Sequence, residues 1–80
     1  GILKIISYRD KQVGVIRDDD GEITTAILVK YQNKGIGTKA LNLYCNNKHN
    51  LTAEINPNNK SSIKIYEKAG FRLKYLIYGK

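Results

Sequence analysis

Eighty residues carrying a net charge of +7, a 41% hydrophobic content and one cysteine set narrow bounds. A chain this short is a single domain that buries only about 60–65% of its unfolded surface, yet it is too apolar to be a disordered segment. Cys45 alone excludes an internal disulfide and points to a reducing, cytoplasmic setting; no apolar run approaches the ~20 residues of a membrane span, and no signal-peptide pattern is present.

The chain opens on Gly1-Ile2-Leu3 without a methionine, as a trimmed chain or fragment would. Residues 2–8 are rich in β-branched and aromatic side chains and predict a strand, followed by a polar turn at Arg9-Asp10-Lys11 and a second strand over 12–16. Residues 17–21 end in Asp20-Gly21, a strong hairpin signal. Asp18, Asp19 and Asp20 lack the alternate spacing and distant glutamate of a calcium loop, so they read as a solvated turn. Residues 22–29 form the third strand, apolar on both faces near its end, which argues for a central position.

That strand runs into Gln32-Asn33-Lys34-Gly35-Ile36-Gly37-Thr38, and a helix-like run follows from Gly37 to about Lys48. A strand that passes through a glycine loop straight into a helix leaves several N–H groups unpaired at the positive end of the helix dipole. Gly35 and Gly37 let a phosphate approach the backbone, Lys34 and Lys39 add positive charge, and Thr38 can cap the turn or donate to phosphate oxygen. The loop is neither a Walker A motif nor a dinucleotide fingerprint. By itself it reads equally as a diphosphate site or as a tight turn without a ligand.

The first helix buries one stripe of Ala40, Leu41, Leu43 and Tyr44, and ends in a polar run of poor helix formers. Cys45 reads as a small core or boundary residue, and His49 as a surface residue. Residues 51–55 predict a short strand, and Pro57 a loop after it. Asn59 is the candidate N-cap of a second helix over 60–69, with Ile63, Tyr66 and Ala69 inward and Gly70 as the stop. Residues 71–78 form the last strand. The predicted order is β-β-β-α-β-α-β, a mixed α/β (α+β) domain with both helices packed on the sheet. The fourteen basic residues are spread over the chain, with no dense cluster or aromatic interleaving, and describe a lysine-rich surface better than a nucleic-acid interface.

Two segments together resemble a known family. Gln32-x-x-Gly35-x-Gly37 after a strand, then Asn59-x-x-Ser62-Ile63-x-Ile65-Tyr66-Glu67-Lys68-x-Gly70-Phe71, are similar to the pyrophosphate loop and the Asn…Tyr-Glu-Lys-x-Gly-Phe segment of the GNAT superfamily of acetyl-CoA-dependent N-acetyltransferases. The flavour of residues 51–71 is closest to the ribosomal-protein and aminoglycoside acetyltransferase branches. The resemblance implies a single GNAT-like domain over 1–80 that lacks the family's first strand and two acceptor-side helices. It implies that Gln32, Asn33, Lys34, Gly35, Ile36, Gly37 and Thr38 hold the CoA diphosphate. The pantetheine arm would pair with Ile27, Leu28 and Val29, whose N–H groups also polarise the thioester carbonyl, and Asn59 would hydrogen-bond it. Tyr66 would protonate the leaving thiolate; its alternative role is a core tyrosine. The family's usual acidic base on the central strand is missing. Glu22 and Glu54 are the candidates, each also explicable as a solvent-facing carboxylate.

The expected activity is transfer of acetyl from acetyl-CoA to a primary amine. The alternatives are a non-catalytic acyl-CoA-binding or regulatory domain and, more weakly, a basic nucleic-acid-binding module. No metal is called for. The sheet edge after the last strand favours a homodimer.

Overall fold

Two tight hairpins build the front of the molecule. The computed structural model describes residues 1–73. Strands β1 (Ile2–Tyr8), β2 (Lys11–Asp19) and β3 (Glu22–Ile27) form an antiparallel sheet in the order β1-β2-β3. Each hairpin closes in two residues at positive φ, Arg9 and Asp10 (51° and 64°), then Asp20 and Gly21 (51° and 95°). Two successive left-handed residues give the turn whose twist matches that of the strands it joins. This tight closure corrects the expected five-residue turn over 17–21. Arg17, Asp18 and Asp19 are ladder residues opposite Thr24, Ile23 and Glu22.

β3 stops at Ile27, two residues short of the expected Val29. The Leu28 N–H still donates to Val13 O at 2.9 Å, after which Tyr31 N–H donates back to Leu28 O and Gln32 N–H to Val29 O. Those bonds curl residues 29–31 into a single 3-10 turn, which takes Val29 out of the strand. Helix α1 (Ile36–Cys45) begins one residue earlier than expected and ends three earlier, where Asn46 turns extended and Asn47 left-handed. Neither residue gives up much by leaving a helix.

The strand expected over 51–55 is reduced to one parallel bridge, Thr52 to Glu22. Ile23 N–H donates to Thr52 O and Thr52 N–H to Gly21 O, both at 2.8 Å. Past this point the two segments make no further ladder, so among the described residues β3 is bordered by a gap and is the sheet's edge, not the central strand the sequence suggested. Helix α2 (Lys60–Lys68) starts at Asn59, whose side chain accepts from Ser62 N–H at 3.2 Å. It ends in a Schellman closure, with Gly70 N–H on Glu67 O and Phe71 N–H on Tyr66 O. The Phe71 ring packs edge-on against Tyr66 at 5.0 Å and completes that motif. Of the strand expected over 71–78, residues 71–73 have no regular structure; the rest, with the edge proposed for dimerisation, lies outside the described residues.

Both helices cover one face of the sheet. The core is Ile6, Val13, Ile16 and Ile23 from the strands, Leu41 from α1 and Tyr66 from α2. Leu43, expected in the buried stripe, is 72% exposed; the stripe narrows to Leu41, flanked by half-buried Ala40 and Tyr44. Asp18 is also not the solvated turn residue expected. It is only 9% exposed, accepts from Gly21 N–H at 2.8 Å and from Tyr44 O–H at 2.6 Å, and so ties α1 to the second hairpin.

Candidate functional site

The entry to α1 is a helix start without a cap. Gly35 occupies the N-cap position at φ 79°, ψ 0°, and no side chain bonds the first turn. The first helical bond is Lys39 N–H to Gly35 O at 3.1 Å, which leaves the amides of Ile36, Gly37 and Thr38 without helical acceptors. Nothing lies within 4 Å of where a Gly35 Cβ would stand, so the chain is open on that side of the turn. Gly37 is glycine for another reason: a Cβ there would meet Ile27 Cδ1 at 2.7 Å and Ile65 Cδ1 at 3.1 Å, at the junction of β3, α1 and α2. Thr38 therefore does not cap the helix; it stands on the third helical position. Asn33, at φ 60°, and Lys34 are exposed on the loop before it.

Gln32 acts on the strand instead of on open space. Its side-chain amide donates to Ile27 O at 2.9 Å, clasping the loop to the end of β3. The backbone directions along β3 follow from parity. Ile23 turns its N–H away from β2 to Thr52, whereas Leu28 turns its N–H toward β2, to Val13. Thr25 and Ile27 share the direction of Ile23, so their backbone groups face the gap. Leu28 faces the sheet, and Val29 is 84% exposed in the 3-10 turn.

Tyr66 is 4% exposed and stands over this edge. Its hydroxyl lies 3.3 Å from Thr25 Oγ1 and 3.4 Å from Ile23 O. Burial pushes its pKa above the usual phenol value, while the Thr25 hydroxyl and backbone N–H hold part of that rise back. The phenol is therefore neutral at pH 7 and its proton is loosely held, because both contacts are long for an O–H donor. Thr25 was not among the residues singled out from sequence; the Thr24-Thr25 pair inside an otherwise apolar strand was the available signal.

The remaining candidates stand further out. Glu22 is exposed at the bridge to Thr52, and Glu54 is exposed two residues beyond it. Asn59 has its side-chain oxygen engaged at the α2 N-terminus, leaving its NH2 as the available donor. Cys45 is half-buried, and burial raises its thiol pKa, the opposite of an activated nucleophile. His49 is exposed beyond the end of α1.

An uncapped helix entry thus stands near a strand edge that is open among the described residues, with a buried phenol over that edge. Residues 3–73 match the acetyltransferase (GNAT) domain. The chain belongs to the GNAT acetyltransferase family, whose members generally use acetyl-CoA. No curated protein and no solved structure gives a significant match. No helix among the described residues is long and apolar enough to cross a membrane.

Proposed function

We propose that this chain is an N-acetyltransferase that moves acetyl from acetyl-CoA to a primary amine by direct transfer. The observation that carries the reading is the buried Tyr66 hydroxyl set against Thr25 Oγ1 and Ile23 O at the edge of β3 that faces away from β2. The amides of Ile36, Gly37 and Thr38, with the positive end of the α1 dipole, would hold the diphosphate, and Lys34 would neutralise it. The gap-facing backbone of Thr25 and Ile27 would pair with the pantetheine amides, helped by the Asn59 NH2. This moves the pairing register toward the start of the strand, since Leu28 has committed its N–H to Val13.

In the transfer, the amine nitrogen attacks the thioester carbonyl carbon and the carbon–sulfur bond breaks. Backbone N–H groups of the β3 edge would face the carbonyl oxygen as it gains negative charge. Tyr66 would give its phenolic proton to the departing sulfur. Its two long contacts make that redirection cheap, and its raised pKa keeps the proton in place until it is needed. The proton released by the amine would leave through water ordered by Glu22, at the bridge to Thr52, or by the exposed Glu54.

A second reading, a non-catalytic acyl-CoA-binding domain, is favoured by the exposure of both carboxylates. Turnover on any member of an amine panel would remove it. The first test is titration calorimetry with acetyl-CoA, free CoA and ATP. Micromolar binding of the first two without ATP is expected; binding of none of them refutes the assignment.

A further inference from the structure

Thr25 breaks the apolar inner face of β3. It stands between Ile23 and Ile27 on the side where Tyr66 packs, and its neighbour Ile23 is buried. Valine has nearly the same shape without the polar atom, so packing in a strand does not call for the hydroxyl. The hydroxyl instead lies 3.3 Å from that of Tyr66, whose ring is set edge-on against Phe71 at 5.0 Å. Tyr66 has a second neighbour, Ile23 O at 3.4 Å. The two neighbours are not equivalent. A carbonyl oxygen can only accept, whereas a hydroxyl rotates to accept or to donate. While Tyr66 carries its proton, either can receive it. Once the proton has gone, Ile23 O has nothing to give the anion. Thr25 then supplies the donors among the described residues, its hydroxyl more strongly than its backbone N–H.

Resting on the acetyltransfer reading above, we infer that Thr25 is a positioning residue of the reaction, acting through Tyr66. As the carbon–sulfur bond breaks and the Tyr66 proton passes to sulfur, Thr25 Oγ–H turns to donate to the phenolate oxygen left behind. With the Thr25 N–H given to the pantetheine, the hydroxyl is the donor that remains. The phenolate recovers its proton from water once the thiol has gone, and Thr25 rotates back. The direction of the transfer makes this donor matter. A thiol titrates at about 8.5 and a phenol at about 10, so handing a phenolic proton to a thiolate runs uphill by roughly thirtyfold. Burial of Tyr66 steepens that slope, and the Thr25 hydroxyl reduces it. Cys45 of α1 also bears on Tyr66 and would steepen it as a thiolate, but burial favours its neutral thiol. Thr25 is β-branched, so its restricted χ1 keeps the hydroxyl beside the phenol throughout.

The test makes Thr25→Val and Thr25→Ser, each in the wild-type and the Tyr66→Phe chain. It reads steady-state rates on an amine panel and NMR titrations of the tyrosine ring carbons without ligand. Thr25→Val should lower kcat by roughly tenfold or more, the scale of a hydrogen bond to a charged group, with KM for acetyl-CoA within about twofold. Thr25→Ser should keep most of the wild-type rate. In the Tyr66→Phe chain, Thr25→Val should cost nothing further, since its effect runs through the phenol. In the ligand-free chain the Tyr66 signal, identified by its loss in Tyr66→Phe, should titrate at higher pH in Thr25→Val than in wild type. In Thr25→Ser it should stay close to wild type. Full kcat in Thr25→Val, an equal loss in both backgrounds, or an unmoved Tyr66 titration overturns this inference and leaves acetyl transfer standing. Wild type that turns over no amine of the panel removes the acetyltransfer reading and this inference with it.

Discussion

Gly35 separates the conformational demand of the loop from its chemistry, because Ala and Asp at this position should fail in opposite orders. Its φ of 79° lies in the left-handed region, and open space surrounds its Cα. Gly35→Ala therefore costs backbone strain alone, about 1–2 kcal/mol. For a domain of this size each 1 kcal/mol lowers Tm by about 4–8 °C. Gly35→Asp suffers less strain, since Asp tolerates left-handed φ better than Ala. Asp, however, sets a carboxylate among the amides of Ile36, Gly37 and Thr38. Two like charges about 4 Å apart repel by roughly 1 kcal/mol in bulk water and about 4 kcal/mol near a protein surface, and a diphosphate presents more than one charge. Thermal denaturation should rank wild type above Asp above Ala. Acetyl-CoA affinity should rank wild type above Ala above Asp, with Asp weaker than wild type by at least about tenfold. Asp binding as tightly as wild type would refute the placement of the diphosphate at this loop. Asp melting well below Ala would refute the account of Gly35 as a strain position.

Tyr66→Phe should leave acetyl-CoA affinity within about twofold and lower kcat by roughly 100-fold or more, the scale of a lost general acid, as read by steady-state assay on a responsive amine; an unchanged kcat would make Tyr66 a core tyrosine only. Tyr44 and Asp18 predict the pH profile of stability. Their hydrogen bond, with that from Gly21 N–H, lowers the Asp18 pKa below its ordinary 3.8, so its contribution is present above that value and lost as pH falls through the folded pKa. The same bond pushes Tyr44 up to about 12 from 10.0, so its contribution is present below pH 10 and lost as pH rises through about 12. Tyr44→Phe should flatten both limbs in a Tm-against-pH series, most clearly below pH 4; parallel profiles would contradict the clasp. Gly14→Ala should destabilise the fold by about 1–3 kcal/mol in urea denaturation, since its Cβ would collide with Ala26 O and crowd Ile27 Cα, both backbone. Because that clash displaces the end of β3, acetyl-CoA binding should fall with it; full affinity in the folded variant would detach the strand edge from the site.

Local chemistry was enough to find the parts. The β-branched and aromatic richness of residues 2–8, the Asp20-Gly21 turn, the Asn59 cap and the Gly70 stop each depend on a few neighbouring residues, and each stands where the sequence placed it. The pairing of Gln32-x-x-Gly35-x-Gly37 with the segment from Asn59 to Phe71 was likewise enough to reach the family. Contacts between distant residues decided the rest. Asp18 looked like one of three turn aspartates, but Tyr44, twenty-six positions on, takes it out of solvent. Val29 looked like a strand residue until the bonds from Tyr31 and Gln32 curled the chain away. Residues 51–55 carry a strand pattern, yet a strand needs a neighbour along its length, and among the described residues only Thr52 has one. The direction in which β3 offers its amides was equally beyond the sequence, because it depends on which parity pairs with β2. That single choice of register turns Thr25 and Ile27 toward the gap and Leu28 into the sheet.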